Sequence, residues 1–190
     1  QIRNNIKQIG LALHNFHDVN RALPPSEVKA QSSQLSWRVW ILPYLDESAL
    51  FSEFNLDEPW DGPTNIKLVD RMPAIYSSPA VTEKGKTRFV AFSGSETLLG
   101  KPHLSFRDVK DGLSNTIAVV EAAPEKAVVW TKPEDLPFDP SNPIAALGNV
   151  PGGSFIALFG DGSARVIPMT IDALTLKGLI TFAGGEMVEF

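Results

Sequence analysis

A chain of 190 residues, 43% apolar and 21% charged, has enough material for one globular domain that buries most of its apolar surface unaided. It contains no cysteine, which excludes disulfides and thiolate metal centres but identifies no compartment. Its net charge of −5 and the lack of any long Lys/Arg cluster argue against a nucleic-acid partner, and its apolar runs are far shorter than the roughly 20 residues of a membrane span.

The first twenty residues carry the clearest pattern. Ile2, Ile6, Ile9, Leu13 and Phe16 recur at alternating steps of four and three, which at about 100° per residue places them within a helical sector of about 80°. Arg3, Lys7, Gln8 and His14 point elsewhere. No Ser, Thr or Asp precedes Ile2 to receive the first free N–H groups, so the helix reads as the continuation of a longer one, of the kind that follows a membrane segment.

Leu23-Pro24-Pro25-Ser26 ends helical hydrogen bonding and opens a polar loop that runs to Gln34. Ser36 is placed to cap a second helix carrying Trp37, Trp40, Ile41, Tyr44 and Leu45, which Pro43 bends or breaks. A third short helix is predicted over residues 47–54, and residues 55–65 are turns. Strands follow at 88–92, 116–121 and 128–130, rich in Val, Ile and aromatics. Residues 154–159 and 164–167 flank Gly160-Asp161-Gly162-Ser163, a hairpin signal. A last helix is expected from 170 or 171 to 182, capped by Gly184-Gly185. The Pro-rich stretch 133–143 is an excursion between strands rather than a linker. Helices first and strands second predict a single α+β domain over 1–190, its antiparallel sheet crossed on one face by the long helix.

Three groups of residues raise the question of chemistry. His14 and His17 are three apart on the first helix, a separation that suits a metal, but their directions diverge and no third ligand is visible, so a solvated helix flank is the expected reading. His103 stands alone in a loop. Asp108, Asp111, Ser114 and Asn115 gather short oxygen-bearing side chains at one turn, as a calcium site does; they break the helix-loop-helix calcium pattern, and hydrogen bonding within the turn explains them as well. Trp60 with Asp61, and Trp130 with Glu134 and Asp135, pair flat apolar faces with carboxylates in the manner of a glycan or small-solute site, or else are loops pinned by buried indoles. No phosphate loop, nucleophile elbow or serine triad is present in the sequence. No catalytic residue and no cofactor is therefore expected, calcium excepted.

Taken together, Asn4-Asn5-Ile6-Lys7-Gln8-Ile9-Gly10 with His14-Asn15-Phe16-His17, Ser36-Trp37-Arg38-Val39, Leu42-Pro43-Tyr44-Leu45, Pro59-Trp60-Asp61, Asp111-Gly112-Leu113-Ser114-Asn115-Thr116 and Asp161-Gly162-Ser163 resemble a large family of unknown function expanded in planctomycete bacteria and sometimes catalogued as bacterial solute-binding proteins. The resemblance covers nearly the whole chain. It implies a prepilin-type leader and hydrophobic helix ahead of the paired asparagines, and hence a pilin-like fold. The implied protein is non-enzymatic, membrane-anchored and on the extracytoplasmic side of the cell envelope, with self-assembly or protein partners engaged through the N-terminal helix. Two departures are visible. Family members often carry cysteines where this chain has Ile2 and Ser78, and a histidine about ten residues before Asp-Gly where it has Val150 and Pro151. Joint loss of the cysteines suggests that they pair with each other elsewhere in the family.

Overall fold

A computed structural model describes residues 1–24 and 34–185; most of the polar loop expected before Gln34 lies outside them. The amphipathic pattern becomes α1, Ile2–Asn20, and its stripe is the part that disappears from water: Ile6, Ile9, Ala12, Leu13 and Phe16 are all buried. Gln1 provides no side-chain cap, and the helix ends at Arg21, whose left-handed backbone (φ 63°) returns its N–H to the His17 carbonyl. Ser36 caps α2, Trp37–Trp40, by accepting the Arg38 N–H. Pro43 follows in a 3-10 turn, Leu42–Tyr44, and α3 spans Ser48–Glu53.

Eight strands follow among the described residues: β1 Lys86–Thr87, β2 Phe89–Val90, β3 Phe92–Ser93, β4 Ile117–Glu121, β5 Val128–Val129, β6 Leu136–Pro137, β7 Ser154–Phe159 and β8 Ala164–Pro168. The main sheet is antiparallel, in the order β2-β4-β7-β8. Its Asp-Gly hairpin forms as the sequence predicts, with Gly162 at φ +87° and Gly162 N–H bonding the Phe159 carbonyl. A register shift between Ile117 and Val119 bulges β4, so that Ala118 and Val119 face one core while Ile117 and Val120 face the other.

The sheet is therefore buried on both sides. On one, α1 packs against β7 and β8, with Gly10 at the closest approach: a Cβ there would lie 2.8 Å from Leu158 Cδ1 and 3.4 Å from the Gly162 Cα. On the other, Leu176, Leu179 and Ile180 of α4, Ala173–Ile180, close over Val120, Phe155, Ala157 and Ile167. The class is α+β.

Three sequence expectations need correction, and one holds with an addition. The predicted strand 88–92 divides between the main sheet and a separate two-stranded ladder. The excursion 133–143 contributes β6, which runs parallel to β3, so not every pairing is antiparallel. The last helix begins at Ala173 under an Asp172 cap and ends at Ile180; Gly184-Gly185 does not cap it, because Thr181 is already extended and bridges Thr97. The long helix covers one face of the sheet as expected, but a second helix covers the other. Among the described residues no helix is long and apolar enough to cross a membrane.

Candidate functional site

The two tryptophan loops are brought together, and their indoles are used differently. Trp130 is fully buried; its indole N–H donates to the Val69 carbonyl at 2.8 Å, and its ring meets Phe54 and Tyr76. Trp130 thus pins its loop by filling the core and offers no face to a glycan or small solute. Trp60 stays half-buried at the surface, its backbone N–H on the Gln34 carbonyl at 3.1 Å. The Lys132 ammonium lies 5.7 Å from its ring centroid and pairs with Glu134 at 2.9 Å. Asp61 is exposed beside it. Trp60, Lys132, Glu134 and Asp61 thus form one solvent-facing patch.

Asp135 lies beneath that patch and belongs to a buried network that the sequence reading missed. Its Oδ1 accepts from Arg38 Nη2 (2.7 Å), the Trp37 indole N–H (3.2 Å) and the Ala91 N–H (2.8 Å). Arg38, fully buried, also donates to the Phe89 carbonyl (3.0 Å) and Ser36 Oγ (2.8 Å), while the Tyr76 hydroxyl donates to the Arg38 carbonyl. Burial pushes the Asp135 carboxyl above its usual range, and the Arg38 guanidinium pulls it back. Phe89 and Ala91 present their outward backbone groups along the outer side of β2, so this ion pair closes one edge of the main sheet. The available signal was a lone Arg between two Trp residues in a capped apolar segment, where any charge must be buried and paired.

A second buried pair sits near the same strand. Arg88 Nη2 meets Glu121 Oε1 at 3.1 Å, and Glu121 Oε2 has no hydrogen-bond partner among the described residues. Burial raises the Glu121 carboxyl, with Arg88 acting in the opposite direction.

The proposed cation residues serve the backbone. Asp108 Oδ2 accepts the Ser105 N–H, forming a capping box. Asp111 takes the N–H groups of Gly184 (3.0 Å) and Gly185 (2.9 Å) on its two oxygens, the Ser114 carbonyl takes Arg165, and Asn115 donates to the Asp111 carbonyl. Among the described residues no three His, Cys, Asp or Glu side chains converge on a metal position.

The histidines are not a solvated flank. Both are half-buried and enclose Phe106: His17 stacks on it at 3.7 Å and His14 tilts against it at 4.7 Å. His14 Nε2 donates to the Gly160 carbonyl at 2.7 Å, whereas His17 Nε2 accepts the Phe106 N–H at 3.0 Å, which fixes opposite tautomers. Burial lowers the His17 pKa first; His14, Arg21 and Arg107 lower it further and Asp18 opposes them.

Ile2 shares a cleft of about 530 Å³ with Ser77 and Pro79, the neighbours of Ser78, and with Ile156. No curated protein and no solved structure matches the chain. One family profile matches residues 1–103 and 74–151, together more than half of the 190 residues. The chain belongs to that family, described as a protein of unknown function (DUF1559) and also labelled as a bacterial solute-binding family, SBP_bac_10.

Proposed function

We propose that this domain is the head of a non-enzymatic, envelope-associated protein of pseudopilin type, membrane-anchored in its full-length form on the extracytoplasmic side. The observation that carries the reading is the docking of α1. Ile6, Ile9, Leu13 and Phe16 of its apolar stripe are buried in the head's own core, and Ile2 packs partly against it, with Gly10 set against Leu158 and His14 and His17 bonded to two separate loops. A helix held so completely along its length can carry the head as a rigid extension of whatever precedes it, leaving loops and sheet edges for protein partners or self-assembly. The test is fractionation of the full-length gene product. Recovery in the membrane fraction with the head accessible to external protease supports the reading; recovery as a freely soluble cytoplasmic protein overturns it.

A second reading, an extracytoplasmic solute- or glycan-binding module, draws on the patch of Trp60, Asp61, Lys132 and Glu134. Next to it, Gln34 Oε1 and Thr131 Oγ1 are buried without a hydrogen-bond partner among the described residues, and a polar ligand or water could satisfy them. Quenching or a blue shift of tryptophan fluorescence on titration with oligosaccharides, lost in Trp60→Ala, supports it; a flat titration removes it.

A further inference from the structure

The two edges of the main sheet are finished differently. Along β2, the Phe89 N–H is taken by Thr87 Oγ1, the Phe89 carbonyl by Arg38 and the Ala91 N–H by Asp135. At the other edge, β8 pairs, among the described residues, only with β7. The Phe159 N–H bonds the Ser163 carbonyl at 2.8 Å, and with the β7–β8 register this turns the backbone groups of residues 163, 165 and 167 toward β7. Those of Ala164, Val166 and Pro168 point outward. Arg3 Nη2 reaches the Ala164 carbonyl from that side, at 3.4 Å.

We propose that this edge pairs with the same edge of a second copy of this chain, antiparallel and centred on Val166, so that two sheets become one. In that register each Val166 exchanges its N–H and C=O with its counterpart. The Ala164 N–H meets the second copy's Pro168 carbonyl, which already takes the Ile171 N–H and keeps a second lone pair. The Ala164 carbonyl faces that same proline, which has no N–H to offer, and this is the carbonyl that Arg3 already serves. The gap left by Pro168 and the donor supplied by Arg3 thus match across a two-fold axis. A slip by two residues in one direction would leave the Val166 carbonyl opposite a proline, and in the other would set the two copies' Arg165 directly opposite each other, so a single register is favoured.

The side chains agree. Val166, 55% exposed, would lie against its own copy on the sheet face it shares with its cross-strand neighbour Ile156, which lines the cleft containing Ile2 and Pro79. The Arg165 guanidinium is held 4.1 Å over Phe159 and bonds the Ser114 carbonyl, so the axis brings no free like charges together. Five residues of strand bury less surface than a permanent dimer needs, so the association is expected to be concentration-dependent.

Sedimentation velocity over a rising concentration series, with hydrogen exchange read at each end, tests the proposal. The wild-type chain should pass from monomer to dimer, and the amides of Ala164 and Val166 should gain protection only in the dimer. Val166→Pro removes an outward donor without breaking a ladder bond, and Val166→Lys sets like charges opposite each other. Each should weaken dimerisation by at least about tenfold with an unchanged circular dichroism spectrum. A chain that stays monomeric throughout, a dimer that survives both variants, or a dimer in which both amides exchange at the monomer rate would overturn it.

Discussion

Asp135 offers the sharpest test of the packing argument. Asp135→Asn keeps the shape of the side chain but removes the one carboxylate among the described residues that bonds the fully buried Arg38. Removing one partner of a buried ion pair costs about 3–5 kcal/mol, because the remaining charge stays desolvated. The Asp135 side chain is itself 14% exposed, which lets water compensate and sets the expectation near the lower bound, about 3 kcal/mol. At about 2–4 °C per kcal/mol for a domain of this size, the melting temperature should fall by roughly 6–12 °C. A double-mutant cycle with Arg38→Met, followed by urea denaturation, should give a coupling energy of about 1–3 kcal/mol. Additive single substitutions, or a loss below about 1 kcal/mol, would show that Arg38 does not depend on Asp135.

Three further outcomes are expected. Gly10→Val should cost about 1–3 kcal/mol in chemical denaturation, because branched bulk at the closest approach to Leu158 and Gly162 must lift α1 from the sheet; an unchanged midpoint would refute the contact. Stability should rise with pH as His17 loses its proton between its lowered pKa and the ordinary 6.5, since the unfolded chain binds more protons there. His17→Gln should flatten that rise in melting temperature measured between acidic and neutral pH. Added calcium should leave the melting temperature unchanged, because both Asp111 oxygens already hold the N–H groups of Gly184 and Gly185; a clear upward shift would mean that the turn rearranges to bind the ion.

The parts of the fold visible in the sequence were those fixed by local chemistry. The α1 stripe, the Ser36 cap and the Asp-Gly turn each depend on neighbours a few residues away, and each appears where it was expected. The parts that stayed hidden depend on distant partners. β6 is two residues whose pairing with β3 joins segments 44 residues apart, and neither end signals it. At the candidate site, the tryptophan-carboxylate pairing pointed to the right loops but could not separate roles: Trp60 and Glu134 stay at the surface, whereas Trp130 and Asp135 are drawn inward by Val69, Arg38 and Ala91. Likewise, the spacing of His14 and His17 set their directions on the helix but could not reveal Phe106, 89 residues beyond His17, which makes both of them packing residues.

With α1 on one face of the sheet and α4 on the other, a partner can reach the sheet's backbone only at an edge, and the ion pair that stabilises the core also decides which edge that is. Arg38 and Asp135 occupy the Phe89 carbonyl and the Ala91 N–H, beside Thr87 and Leu136 on the Phe89 N–H and the Ala91 carbonyl, while nothing comparable among the described residues covers Val166. Weakening the pair should therefore do more than lower stability: it should uncover a second edge. An unprotected edge at each end permits open-ended association, whereas one open edge closes into a dimer. Asp135→Asn at high concentration should accordingly pass from dimers to larger species by light scattering, and adding Val166→Pro should cap growth at the dimer formed through the newly exposed β2 edge. Growth that is indifferent to Val166→Pro would place the association elsewhere and separate the stability role of the ion pair from any role in edge protection.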